Sequence, residues 1–211
     1  MFKVREFEMK QTIFTVFVLL LGFSASGFAD GKASYAICIT CHGPNGEGNA
    51  ALNSPAIAGQ EIWYLESQLN NFKSGLRGKH KDDLFGMQMG PMAMTLATDE
   101  AVSEVSAYVT AMAPAKLESS VKGSVDTGKG LYVVCSTCHG TDAKGLKTMN
   151  APDLTLQQDW YLVRQLQNYK KSIRGTDSRD LFGNQMRPMA MTLTSDQAIL
   201  DVMAYISSLS D

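Results

Sequence analysis

The chain has 211 residues, of which 19 are lysine or arginine and 21 are aspartate or glutamate, giving a formal net charge of −2. This balance provides no basic surface of the kind that binds nucleic acid, so we exclude nucleic acid as a partner. The length suits one or two globular domains.

Residues 1–29 have the pattern of a secretory signal peptide. Basic side chains outnumber acidic ones before an apolar run over 13–23, and small residues lead up to Ala29. We therefore predict export to the periplasm, with cleavage after Ala29. The alternative is a retained anchor, because the apolar stretch is nearly long enough to span a bilayer, and the protein would then associate peripherally with the membrane.

The segment that follows is predicted to form helices joined by loops. A first helix is expected over 32–41, before a loop rich in glycine and proline at 43–46. A second is expected over 62–73, where apolar side chains recur with helical spacing. A glycine-containing loop then leads into a segment rich in methionine at 87–96, and a last helix starts near Thr98. No segment alternates as a strand does, so the predicted fold class is all-α.

The same pattern returns 97 residues later without an insertion. For example, the six residues 91–96 are identical to 188–193. A repeat this long indicates a duplicated domain rather than a solenoid. The stretch at 114–124, which contains proline, glycine and serine, is a predicted linker. We therefore predict tandem domains at 30–113 and 125–211, and helices in the second copy at 127–138, at 160–171 and from Thr194 or Ser195 onward.

Each copy contains a Cys-x-x-Cys-His motif, and the two motifs use all four cysteines and two of the three histidines. This spacing is the attachment signature of c-type haem, in which both thiols add to the vinyl groups and the histidine binds the iron. A zinc site or a redox dithiol is the alternative, but neither needs a histidine directly after both motifs. We predict two haem c groups, held covalently by Cys38, Cys41, Cys135 and Cys138, with His42 and His139 as iron ligands.

The second axial ligand of each iron helps to set its potential. Because the repeat is so regular, a ligand used in one copy should recur in the other. The third histidine, His80, aligns with Asp177 and is interpreted as an exposed loop residue. Three methionines recur. We predict Met89 and Met186, at the end of the loop, as the ligands. Met92 and Met189 are the next candidates, and with Met94 and Met191 they are otherwise expected to pack in the haem pocket.

Together these residues resemble class I cytochromes c, and in particular the tandem di-haem cytochromes of the cytochrome c4 type. The likeness covers essentially the whole chain after residue 29. In that family the methionine seven residues before a leucine is the axial ligand, which corresponds here to Met89 before Leu96 and Met186 before Leu193. The family also implies two domains about a pseudo-twofold axis, with haems close enough to exchange electrons. The features that carry the likeness are the two haem motifs, Gly59-Gln60 with Trp63-Tyr64-Leu65, the Met-x-Pro-Met-Ala segments, and Ala107-Tyr108 with Ala204-Tyr205.

Two sets of residues near the predicted haems allow two interpretations each. Arg77 and Arg174 either pair with haem propionates, as arginine pairs with carboxylates, or are exposed loop residues. The tryptophan and tyrosine at 63–64, with their counterparts at 160–161, either donate hydrogen bonds to propionates or are amphipathic core residues.

With histidine and methionine on each iron, no coordination position is open to substrate, which suits outer-sphere electron transfer rather than catalysis. We therefore predict a non-enzymatic periplasmic electron carrier. Its redox protein partners would be a quinol-oxidising complex or periplasmic dehydrogenase as donor, and a terminal oxidase or reductase as acceptor. The alternative is the electron-accepting cytochrome subunit of a periplasmic dehydrogenase complex. A haem peroxidase or gas sensor would need a vacant or displaceable axial site.

Overall fold

The computed structural model describes residues 27–210 of the chain. The predicted signal peptide therefore lies outside the described residues, apart from its last three. Within 27–210 the chain is helical and contains no strand, which confirms the predicted all-α class. None of these helices has the length and apolar character that crossing a bilayer requires.

The helices follow the repeat. In the first domain they are α1 (Gly27–Tyr35), α2 (Ile39–His42), α3 (Ile62–Lys73), α4 (Gly86–Met94) and α5 (Asp99–Thr110), and in the second α6 (Val125–His139), α7 (Asp159–Lys170), α8 (Leu181–Met191) and α9 (Asp196–Ser207). Short 3₁₀ turns lie at Ala50–Leu52 and Lys147–Met149.

Two expectations for the first domain were wrong. The helix predicted over 32–41 is interrupted, because the backbone tightens at Ala36 and Cys38, whose N–H groups bond to carbonyls three residues back. The equivalent helix α6 is continuous. The loop expected to carry Met89 is helix α4, and its counterpart α8 carries Met186. Each helix contains a proline, and the carboxylate of Asp180 caps α8 by accepting from the Gly183 N–H at 2.9 Å.

The last helix of each domain supplies most of the core. On α5 the buried side chains include Val102, Val105 and Val109, on the face that the sequence predicted. The hydroxyls of Thr98 and Ser195 accept from the N–H groups of Ala101 and Ala198, which confirms where these helices begin. In the second domain the core residues are Tyr132, Ala143, Leu193, Ile199, Val202, Met203 and Ile206.

The first and last helices of each domain cross in close contact, and a glycine makes the contact possible. A Cβ added at Gly31 would meet the carbonyl oxygen of Glu104 on α5, and one at Gly128 would meet that of Asp201 on α9. These crossings hold the haem motif, at the end of α2 or α6, against the last helix of its domain.

One carboxylate fastens the segment between the domains. Asp159, at the start of α7 and 3% exposed, accepts hydrogen bonds from the N–H groups of Ser120 and Val121 and from the Ser120 hydroxyl at 2.6 Å. Its repeat counterpart is Ile62, so the first domain has no equivalent. The segment is thereby bound to the second domain.

Candidate haem-binding sites

Each domain contains a cavity beside its Cys-x-x-Cys-His motif. The first cavity, of about 170 Å³, is lined by the predicted site residues Cys38, Cys41, His42 and Met89. The second, of about 190 Å³, is lined by their counterparts Cys135, Cys138, His139 and Met186. No disulfide joins any two of the four cysteines, all of which lie within the described residues. The two motifs line separate cavities. The alternative interpretation, a zinc site that both motifs share, is therefore wrong.

A backbone carbonyl orients each motif histidine. His42 Nδ1 lies 2.8 Å from the Pro55 oxygen, and His139 Nδ1 lies 3.1 Å from the Pro152 oxygen. Since a carbonyl only accepts, Nδ1 carries the hydrogen and the lone pair of Nε2 is left for a metal. Burial lowers the pKa of both histidines, although the carbonyl bond partly opposes this effect. Both imidazoles are therefore neutral at pH 7, as a metal ligand must be.

The turn after each histidine is also held in place. Gly43 and Gly140 end their helices with φ of 80° and 78°, a conformation that favours glycine. Tyr35 and Tyr132, both almost fully buried, donate their hydroxyl hydrogens to these two glycine carbonyls at 2.6 and 3.0 Å. The histidine is thus fixed by the core on one side and by the proline carbonyl on the other.

The recurring methionines divide into two groups. Met89 and Met92 line the first cavity, and Met186 and Met189 line the second. Met89 and Met186 are half-buried, whereas Met92 and Met189 are 38% and 37% exposed. Met94 and Met191 line neither cavity and are 62% and 59% exposed. The expectation that this last pair packs in the haem pocket was wrong.

Arg77 and Arg174 are buried, at 7% and 8% exposed, so their interpretation as exposed loop residues was also wrong. Arg77 Nη1 donates to Gln68 at 2.8 Å and its Nη2 to Gln165 of the other domain at 3.3 Å. Arg174 makes the reciprocal pair, to Gln165 at 2.8 Å and to Gln68 at 2.9 Å. The four side chains form a symmetric network across the domain interface.

The two arginines provide a test of whether the cavities suit haem. The Nε atoms of Arg77 and Arg174 are buried and have no hydrogen-bond partner. Among the described residues, neither guanidinium forms an ion pair with a carboxylate. A buried cation without a counter-charge is costly, and each arginine lines a cavity. A haem propionate would supply both the acceptor and the charge, so the residues present fit a haem in each cavity.

The two cavities share a wall. Six residues from the domain interface line both of them: Gln60, Tyr64, Gln68, Gln157, Tyr161 and Gln165. Further hydrogen bonds cross the interface beside this wall, from Gln157 Nε2 to the Ala56 oxygen at 2.8 Å and from Ala56 N to Gln158 Oε1 at 2.7 Å. Groups bound in the two cavities would therefore be neighbours.

A family model with the description "Cytochrome c" matches the chain twice, over residues 28–113 and 125–210. The chain belongs to the cytochrome c family. It is 27% identical to cytochrome c4 of Azotobacter vinelandii over 93% of this chain and 96% of that protein. It is 29% identical to a "thiosulfate dehydrogenase electron acceptor" of Stutzerimonas stutzeri, with 92% of each chain covered.

A solved structure agrees with these matches. The cytochrome c4 of Acidithiobacillus ferrooxidans superposes with a TM-score of 0.67 at 26% identity, covering 82% of this chain and 99% of that one. The chain is thus a di-haem electron-transfer protein similar to cytochrome c4, and its two Cys-x-x-Cys-His motifs carry two haem c groups. The predicted family, cofactor and electron-carrier class are confirmed.

Sequence reasoning overlooked several residues that complete the sites. Pro55 and Pro152, which orient the histidines, recur in the repeat at the same distance from each motif, and this regularity was a usable signal. Gln68 and Gln165 recur in the same way. Arg164 carried no such signal, because its counterpart is Ser67. Only the fold shows that Arg164, although part of the second domain, lines the first cavity.

Proposed function

We propose that the protein is a periplasmic electron carrier in which His42 and Met89 bind the iron of the first domain and His139 and Met186 that of the second. The shared cavity wall is the observation that carries this proposal. Bound haem c supplies one-electron oxidation and reduction, and two haems separated by a single wall of side chains can share an electron. We place the protein in the periplasm because bacteria attach haem c outside the cytoplasm.

The surrounding residues have three tasks in this proposal. The carbonyls of Pro55 and Pro152 hold the histidines in the tautomer that leaves Nε2 free. The thioethers of Met89 and Met186, which are less exposed than the neighbouring cavity methionines, would be the second protein ligands of the two irons and would exclude exogenous ligands. Arg77 and Arg174 would neutralise haem propionates, and their hydrogen bonds to the glutamines of the opposite domain keep the two domains together.

The redox partners belong to the proposal as well. We propose a respiratory donor, either a quinol-oxidising complex or a periplasmic dehydrogenase, and a terminal oxidase or reductase as acceptor. A second candidate is the electron acceptor of one particular dehydrogenase. The likeness to the thiosulfate dehydrogenase electron acceptor of Stutzerimonas stutzeri favours this candidate.

A redox titration of the holoprotein, followed by absorbance, tests the carrier function. We expect two one-electron centres at positive potential, both with the near-infrared band of ferric haem bound to methionine. Stopped-flow mixing should then show rapid oxidation by membranes containing a terminal oxidase. Reduction by thiosulfate in the presence of its dehydrogenase, without such oxidation, would favour the second candidate. Ready binding of carbon monoxide by the wild-type ferrous protein would contradict both.

A further inference from the structure

The charged residues that line the two cavities do not balance. The first cavity is lined by two basic and one acidic side chain: Arg77, Arg164 and Asp83. The second is lined by one basic and two acidic side chains: Arg174, Asp153 and Asp180. When all are ionised, the linings therefore differ by two elementary charges, with the first cavity the more positive.

The difference arises at two positions where the repeat is broken. Arg77 and Arg174 are repeat counterparts, as are Asp83 and Asp180, so these four contribute equally to the two cavities. Arg164 aligns with the neutral Ser67, which lines the second cavity. Asp153 aligns with Ala56. Both differences make the lining of the first cavity more positive than the lining of the second.

Arg164 is held against the first domain by three contacts. Its Nη1 donates to Asn53 Oδ1 at 2.9 Å and its Nη2 to the Asn53 carbonyl at 3.1 Å. Its guanidinium carbon lies 4.6 Å from the centre of the Phe85 ring. Although Arg164 belongs to α7 of the second domain, its charge is therefore delivered to the cavity of the first.

Asp153 is held beside the histidine of the second domain. It directly follows Pro152, whose carbonyl accepts from His139, and its carboxylate accepts from the Thr155 N–H at 2.8 Å and the Thr155 hydroxyl at 2.6 Å. Its backbone is bound to the other domain, because Gln60 Nε2 donates to its carbonyl at 3.0 Å. These bonds keep a negative charge on the wall of the second cavity.

We propose that these two residues make the first domain the site of higher potential, so that in the half-reduced protein the electron resides there. The proposal rests on the proposed function. Reduction removes one positive charge from the iron, so a positive lining favours the reduced form and a negative lining opposes it. Electrons would enter through the second domain and leave from the first.

The overall charges of the domains have the opposite trend, so the two effects must be weighed. Residues 30–113 contain nine acidic and five basic side chains, whereas residues 125–211 contain nine of each. Most of these side chains are on the surface, where salt screens charges over about 8 Å. The lining charges act through an effective dielectric constant of about 20, and at this value a unit charge about 12 Å from the iron changes the electron distribution by about tenfold. The lining charges should therefore decide the order.

The test replaces each residue by its own repeat counterpart in the full holoprotein. Arg164→Ser should lower the upper potential and Asp153→Ala should raise the lower one. Each variant should therefore change the distribution of the single electron between the two haems by about tenfold. This change corresponds to a separation of the two midpoint potentials that is narrower by about 59 mV. Surface variants of the same type, Arg179→Ser and Asp126→Ala, should leave it nearly unchanged.

The direction of the change decides the outcome without assigning either midpoint to a domain. If the separation of the two midpoint potentials widens, the second domain has the higher potential. If the separation is unchanged, the lining charges do not set the order of the two potentials. Either result would overturn the proposal. Ser67→Arg, which adds the charge to the second cavity, should also narrow the separation and tests the idea if Arg164→Ser does not fold. Absence of the near-infrared band from the ferric wild-type protein would instead contradict the proposed function.

Discussion

Arg174 of the second domain donates a hydrogen bond to Gln68 of the first, with Nη2 and Oε1 2.9 Å apart. Gln68 also accepts from Arg77 of its own domain at 2.8 Å. Each interface glutamine is thus shared by two buried arginines, one from each domain. Two like charges are stable here only if they have a counter-charge, and the unpartnered Nε atoms indicate where haem propionates would provide it.

Removing either arginine should weaken the whole protein. Arg77→Gln and Arg174→Gln leave Gln68 and Gln165 with fewer donors and an interface with less charge to offset the propionates. We expect the free energy of unfolding to fall by about 1–3 kcal/mol in denaturant titrations of the holoprotein. Arg179→Gln is the matched control, because Arg179 is 63% exposed on a surface loop. Equal stability of all three variants would mean that the network contributes nothing.

The methionine ligands can be separated from their neighbours by substitution. Met89→Ala and Met186→Ala should each open one iron, so that the ferrous holoprotein binds one carbon monoxide and the ferric holoprotein loses half of the near-infrared band. Met94→Ala and Met191→Ala should change neither property, because these side chains lie outside the cavities. If Met92→Ala or Met189→Ala opened the iron instead, the ligand assignment would move to that pair.

The helix crossing in the second domain offers a paired test on one helix. Gly128→Ala should lower the free energy of unfolding by about 1–3 kcal/mol, because its Cβ meets the backbone carbonyl of Asp201. Gly130→Ala, two residues along α6, has no atom within 4 Å of the new Cβ. It should raise stability by about 0.5–1 kcal/mol through the better helix propensity of alanine. Thermal unfolding of the two variants measures both effects, and destabilisation of similar size in both would refute the crossing argument.

The hydrogen bonds that Asp159 accepts from the segment between the domains should make the free energy of unfolding depend on pH. Burial raises the pKa of this carboxyl, but hydrogen bonds from Ser120, Val121 and Trp160 outweigh burial and hold the pKa below its usual value. The folded form therefore gains stability above the unfolded pKa of about 3.9, and loses it as the pH falls through the lowered folded pKa.

Asp159→Asn should therefore cost about 2 kcal/mol at pH 7 and much less at about pH 3, in denaturant titrations at the two values. Asp142→Asn, on an exposed turn with one backbone donor, serves as the control. A cost that is the same at both pH values would show that the ionised carboxylate is not what binds the linker.

How far the sequence predicted the site depended on whether a feature is local. The haem motifs are local, since two thiols and an imidazole must lie within one helical turn, and the cavities contain all six residues. The faces of the last helices were also predictable, because burial follows helical spacing. The form of the methionine segment was not, since the proline and glycine in it suggested a loop where α4 and α8 form helices.

By itself, the sequence determined the all-α class, the duplication and the two haem groups, because each is recorded in residue spacing and in identity between the copies. Only the tertiary structure decided which side chains of one copy complete the cavity of the other. The burial of Arg77 and Arg174, the shared glutamines and the crossing of Arg164 all depend on how the two domains pack. Such contacts join residues more than 80 positions apart, and no periodicity along the chain records them.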